Sequence, residues 1–291
     1  MSRTIAQRTN SQGFPKAGEV IEMIGTHTLE ASDRAILNTL YQHAHDSGRM
    51  TDPTAEWEIP LAELRRSSHE SNDRLYDSLQ RLRKVEVTLT YYTPEEAGKG
   101  REQRIFMSGL FDFFDISARE LAKRATLRFG LPKKLSELLE YSNRWGRIRS
   151  EVVFALTSKY AIALYEMIEL RRNLDRCIEV FAVDRFRDLL GVPPGTYKLG
   201  PDFVRYVVQP AVLEVNGLSD MGVLIEPRRR HARAPIHEVV VSWWKKEGEE
   251  FRAVLQEIQE AKAGRMKRLK LKEAAKPKRA SSLQLSLPEP A

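Results

Sequence analysis

The sequence predicts an α+β protein of two tandem winged helix-turn-helix domains closed by a basic C-terminal tail. Three observations carry this. Residues 199–216 read as an amphipathic helix that follows a short helix and precedes a hairpin with an arginine-rich tip, which is the winged-helix order. The same order of elements occurs in the first half: Leu40-Tyr41 and Trp57-Glu-Ile recur as Leu164-Tyr165 and Phe181-Ala-Val, both 124 residues on. Between Ala261 and Ala280, nine Lys and Arg side chains stand against Glu273, a local charge of +8 on a chain whose net charge is +7. The body is therefore near neutral, and the tail either meets a polyanion, nucleic acid first, or serves as a solubilising segment.

Residues 1–16 are polar and aperiodic and are expected to be flexible. The first domain is placed at 17–145. Ser32 as N-cap and Asp33 in the first turn open a helix whose inward stripe is Ile36, Leu37, Leu40, Tyr41 and Ala44. Trp57-Glu-Ile-Pro reads as a short strand and 61–66 as a short helix. Ser71 or Asn72 caps a helix through Arg83 with Leu75, Leu79 and Leu82 inward and Arg74, Asp77 and Arg81 outward. Segments 85–93 and 105–114 alternate like the strands of a hairpin with a long charged tip. A strand at 125–130, a short helix at 132–141 and a link at 142–149 complete this half.

The second domain is placed at 150–262. Thr157 or Ser158 caps a helix with Tyr160, Ala161, Leu164, Tyr165 and Ile168 inward, a strand follows at 177–181, and Gly191 closes a short helix at 183–190. The helix after it starts near Pro201, because proline lacks only an N–H that would be orphaned there and Asp202 faces the positive end of the dipole. Stepping 100° per residue puts Phe203, Val207, Pro210, Ala211 and Glu214 on one side and Arg205, Gln209, Val212 and Asn216 opposite. Pro210 removes the bond to the Tyr206 carbonyl, so the helix kinks there or restarts. A hairpin at 221–225 and 236–243 presents the tip 227–235, a helix spans 247–262, and 263–291 is a solvated tail.

Catalytic signals are weak. No Gly-x-x-x-x-Gly-Lys-Ser/Thr phosphate loop occurs, and Gly98-Lys-Gly100 is a loop tip. His43-Ala-His45 has the spacing of a nuclease metal pair, but at a helix end side chains two apart diverge by about 200°. The single cysteine, Cys177, excludes an intrachain disulfide or a cysteine zinc cluster and reads as a small buried apolar residue in a reducing compartment. No apolar run is long enough for a bilayer and the start resembles no signal peptide, so a cytoplasmic protein without membrane partner, cofactor or metal is expected.

The nucleic-acid signal is stronger because several parts agree. Lys198, Arg205 and Gln209 suit guanine and adenine edges in a major groove. Arg228, Arg229, Arg230, His231 and Arg233 on the hairpin tip suit phosphates or the adjoining minor groove. Arg74, Arg81 and Lys84 are their counterparts in the first domain.

Leu156-Thr-Ser-Lys-Tyr-Ala-Ile-Ala-Leu-Tyr-Glu-Met-Ile, Phe186-Arg-Asp-Leu-Leu-Gly-Val, Tyr197, and Phe203 through Gln209-Pro-Ala-Val-Leu-Glu-Val-Asn216 resemble the iteron-binding replication initiators of plasmids. The resemblance covers 156–243, and the first half shares mainly element order. It implies a C-terminal winged helix that reads the iteron and an N-terminal one shared between DNA contact and dimerisation. It also implies monomers that open the origin, dimers that repress their own gene, and host initiator or helicase as partners. The residues carried over are Lys198, Asp202, Arg205, Tyr206 and Gln209 with the wing arginines. Gln284, Leu285 and Leu287 resemble the peptide by which bacterial replication proteins dock on the sliding clamp, with Pro288 in place of its closing aromatic. The alternatives are a winged-helix transcriptional repressor and a metal-dependent rolling-circle nicking enzyme.

Overall fold

The computed structural model describes residues 3–52, 54–65, 71–93, 101–116 and 125–275. The first half runs β1 (Phe14–Ala17), α1 (Gly18–Ile21), α2 (Ala31–Asp46), β2 (Trp57–Pro60), α3 (Asn72–Lys84), β3 (Glu86–Tyr92), β4 (Gln103–Gly109), β5 (Phe113–Ile116), β6 (Thr126–Gly130), α4 (Lys133–Tyr141) and β7 (Trp145–Ile148). The second runs α5 (Ser150–Ala155), α6 (Lys159–Arg171), β8 (Ile178–Ala182), α7 (Val183–Leu190), α8 (Gly200–Phe203), α9 (Gln209–Leu218), β9 (Met221–Arg229), β10 (Ile236–Lys245), α10 (Gly248–Gln259) and α11 (Arg265–Ala275). No helix among the described residues is long and apolar enough to cross a membrane.

The second half has the winged-helix sheet, in the order β8-β10-β9, whereas the first half departs from it. There the hairpin β3–β4 forms its own sheet, and β2 is taken by β6 in the order β2-β6-β5. The Trp57 and Phe129 rings, paired across β2 and β6 and stacked at 5.6 Å, show what holds that exchange. The order of elements shared by the two halves thus extends to the leading helices and not to the sheets.

Two segments read as loose are strands of the body. All four residues of β1 are buried, and β1 pairs antiparallel with β7 from Phe14↔Ile148 to Ala17↔Trp145. The flexibility expected of 1–16 therefore fails at 14–16, and the link expected at 142–149 carries a strand. Local pattern concealed the pair because one buried member is Lys16, whose ammonium meets Glu166 at 2.9 Å. One hydrophobic core, with Phe14, Tyr41, Phe111, Tyr165 and Phe203 among its largest buried members, continues through both halves.

Cap geometry refines other expectations. α2 is capped two residues before Ser32, by Glu30, whose N–H donates to Asp33 Oδ2 at 2.8 Å in a capping box. Ser71 and Ser158 cap α3 and α6. Cys177 is exposed, not buried. The tail beyond 263 is not all solvated. α11 lies against α9, with Arg265 and Leu269 buried, and Arg265 donates to the carbonyls of Ala155, Glu257, Ile258 and Glu260. Arg268 and Lys272 each reach Glu257 at 2.7 Å. Three of the tail's cations therefore dock this helix.

A buried ionic cluster ties α6 to the start of the wing. Arg172 bridges Glu169 at 3.2 Å and Asp220 at 2.6 Å, and Arg149 reaches Asp220 at 3.1 Å. Burial pushes the Glu169 carboxyl from its ordinary 4.5 up to about 7, against the pull of Arg172. The folded chain then holds a proton that the unfolded chain releases above pH 4.5. This group's stabilisation is complete below about pH 4.5 and lost as pH rises through 7. Glu169→Gln is expected to remove that falling limb from a plot of Tm against pH, and an identical slope in the variant would reject the assignment.

Candidate nucleic-acid interface

The helical segment that starts at Gly200 is prepared by the turn before it. Arg187 on α7 donates to the carbonyls of Thr196 at 2.5 Å and Tyr197 at 3.2 Å, and its guanidinium lies 4.8 Å from the centre of the Phe203 ring. That clamp fixes where Gly200 and Pro201 begin the helix. After α8 the backbone widens into a π-helical turn at Val204–Val208, closed by the Gln209 N–H on the Val204 carbonyl, and continues as α9. The restart expected at Pro210 is what occurs: α9 begins at Gln209 with Pro210 in its first turn, where a missing N–H costs least, and the wide turn joins it to α8. The signal was in the spacing: Phe203, Val207, Ala211 and Val215, all buried, are four apart. In an ideal α-helix that row drifts by about 40° per step, and a turn holding an extra residue brings it back.

The inner face of this helix is locked by polar contacts as well as by packing. Glu214, 2 % exposed, accepts from Thr157 N and Oγ1, both at 2.6 Å, and from Ser158 N at 3.3 Å, so it caps α6 from α9. Asn216, expected on the outer face, instead clamps the first wing strand: it donates to the Val223 carbonyl at 3.0 Å and accepts from Val223 N at 2.8 Å. Lys246 donates to the carbonyls of Asn216 and Ser219 at 2.5 and 2.8 Å, satisfying the helix C-terminus. On the side facing α11, Leu269 sits so close that a Cβ on Gly217 would come within 2.3 Å of it. Glu214, Asn216 and Arg187 position the outer face, and the sequence pattern alone gave them other roles or none.

Outward, Arg205, Tyr206 and Gln209 are exposed, as is Lys198, with Asp202 half-buried in the first turn. Beside them stands the wing. Its root touches the helix start, since a Cβ on Gly200 would come within 2.9 Å of Ile236 and 3.2 Å of the Arg229 guanidinium. Arg229 Nη1 donates to the Ala234 carbonyl at 2.6 Å and so closes the tip. Arg228, Arg230, His231 and Arg233 are exposed, and among the described residues Arg228, Arg230 and Arg233 have no carboxylate partner. The helix and wing thus put donors and unneutralised guanidinium groups on one side of the second domain.

The first domain offers less. Arg74 and Lys84 are exposed, but Arg81 is turned onto the buried Asp33, Nε to Oδ2 at 2.7 Å and Nη2 to Oδ1 at 2.9 Å. The Asp33 carboxylate, not solvent, decided its direction. Arg83, exposed beside Lys84, is a cation that the outward stripe did not include. His45 contacts the Gln7 carbonyl at 2.8 Å while His43 lies against Phe129. Among the described residues no cluster of His, Cys, Asp or Glu is placed to hold a metal. Gln284, Leu285 and Leu287 lie outside the described residues.

Comparison with family models matches residues 17–169 to "Initiator Replication protein, WH1" and residues 182–243 to "Initiator Rep protein, WH2". The WH1 match runs past the expected boundary at 145 and takes in α5 and most of α6. Comparison with curated proteins gives no match. Among solved structures, the Pi initiator protein in complex with iteron DNA is 14 % identical over 80 % of this chain and 97 % of that one, with a TM-score of 0.54. Domains 2 and 3 of RctB are 11 % identical over 75 % and 83 %, with a TM-score of 0.45.

Proposed function

We propose, taking as premise that this chain belongs to the initiator replication protein family, that it recognises repeated double-stranded DNA at a plasmid origin through its second winged helix and initiates replication there. The observation that supports this most is the exposure of Arg205 and Gln209 on a helix whose other face is fixed by Glu214 and Asn216. Rigid presentation of a guanidinium and a carboxamide is what bidentate reading of guanine and adenine edges requires. Arg228, Arg230 and Arg233 would grip the neighbouring phosphates, which positions the helix without reading sequence. The iteron DNA held by the Pi initiator, which shares this fold, fits the same reading. In this reading Arg74 and Lys84 extend the DNA contact, a dimer represses the chain's own gene, and residues 284–287 recruit the host clamp.

Footprinting on the DNA upstream of the coding sequence, combined with permanganate probing of unpaired thymines, tests the proposal. Protection of tandem direct repeats with melting beside them is the expected result; a lone protected palindrome at a promoter would point to a repressor instead. Metal-dependent nicking of supercoiled origin DNA that His43→Ala abolishes would replace the proposal with strand-cleavage chemistry. The joint substitution of Arg228, Arg230 and Arg233 by alanine should weaken binding to all sequences alike. It should also lower the slope of log K against log salt by about 0.9 for each phosphate that the wing no longer neutralises; an unchanged slope would remove the wing from the interface.

A further inference from the structure

Arg205 does not stand alone on its helix. Its guanidinium carbon is 5.4 Å from the centre of the Tyr206 ring, and that ring lies 6.0 Å from Tyr197 with 31° between their planes. Burial, and after it the neighbouring Tyr197, push the hydroxyl of Tyr160 in the first turn of α6 up to about 12. The Lys159 ammonium lies 5.4 Å from the Tyr160 ring and donates to the His27 carbonyl at 2.6 Å, in the turn at Thr26–Thr28 of the first half. Two rings, Tyr206 and Tyr197, therefore lead from the exposed guanidinium to the turn whose carbonyls Arg187 holds.

Tyr197 is an odd residue for its place. Among the described residues it is the one non-glycine residue with positive φ, at 47°. A bulky side chain holds that conformation only where its surroundings over-determine it. Arg187 supplies the constraint by binding the carbonyls of Thr196 and Tyr197 itself. Glycine or asparagine would make the turn without strain. The ring is what tyrosine adds.

A free arginine on a helix surface samples many rotamers, and ordering it on binding opposes affinity for the correct base. A stacked guanidinium is ordered beforehand. We propose that Tyr197 is a positioning residue for base reading: through Tyr206 it holds the Arg205 guanidinium in its reading direction, anchored by the turn that Arg187 fixes. The proposal rests on the assignment of Arg205 as a base reader.

The test uses the full-length protein and a duplex that it enriches from a randomised pool, together with every single-base change in that duplex. Arg205→Ala should lower discrimination by about tenfold or more at one or two positions. Tyr197→Asn, which tolerates the left-handed backbone but lacks the ring, should lower discrimination at those same positions, with non-specific affinity and salt slope unchanged. The double variant should lose no more than Arg205→Ala, because both changes remove one interaction. Tyr197→Phe should recover most of the loss. If Arg205→Ala leaves discrimination intact, the assignment of Arg205 fails and this proposal with it. If Arg205→Ala loses it but Tyr197→Asn does not, or if the two losses add, the relay alone is overturned. Should Tyr197→Asn melt at the assay temperature, Tyr206→Leu decides, because that side chain is exposed and its ring is the link between Tyr197 and Arg205. A loss at the Arg205 positions is then expected, and no loss overturns the relay.

Discussion

Glu166→Ala is expected to lower the unfolding free energy by about 3–5 kcal/mol, the cost of leaving a buried charge without its partner. Lys16 and Glu166 side chains are 1 % and 2 % exposed. Asn38 completes the set, donating to Glu166 Oε1 at 2.6 Å and accepting from Lys16 Nζ at 3.0 Å. The three residues sit on β1, α2 and α6, so one small network fastens the entering strand to the leading helices of both domains. Burial draws the Lys16 pKa down from 10.5, and Glu166 opposes that pull. Without Glu166 the folded state favours the neutral amine while the unfolded chain stays protonated up to 10.5. The variant should therefore gain stability as pH is raised from neutrality towards that value, more steeply than the parent. Urea titrations at several pH values measure both effects. Replacing Lys16 with Met and Glu166 with Leu together should restore most of the loss; a double variant as weak as the single one would mean that the pair itself, not an orphaned ammonium, sets the cost.

Glu214→Ala should cost about 3 kcal/mol, since its carboxylate accepts three hydrogen bonds in the interior and the Thr157 and Ser158 donors would be left unsatisfied. The effect reaches function because these bonds join the reading helix to α6. Origin binding should weaken even at temperatures where the variant remains folded, with circular dichroism confirming the fold. Glu214→Gln keeps one acceptor but turns an amide N–H towards donors, and an intermediate loss is expected. Full affinity in folded Glu214→Ala would show that packing alone sets the helix.

Much of this was readable in the chain, where local rules dominate. Ser71, Ser158 and Gly191 mark helix ends as capping chemistry requires, and the outward direction of Arg205 and Gln209 follows from the apolar residues behind them. The failures share one cause, which is partnership across sequence distance. β1 and β7 pair between positions more than a hundred residues apart, and the buried Lys16 and Glu166 resemble surface charges until they meet. Arg81 faces inward for Asp33, Asn216 for Val223 and Arg265 for four carbonyls. Charged or polar side chains with a single strong buried partner defeat periodicity, because amphipathic reasoning assigns them to water.

The wide turn at Val204–Val208 puts one extra residue between the two halves of the proposed reading helix. Moving that turn by one position would leave both flanking segments in phase and rotate only the residue it passes, by about 100°. A change confined to where the wide turn sits would therefore exchange which side chain of 204–208 faces outward while the remainder of the helix stays where it is.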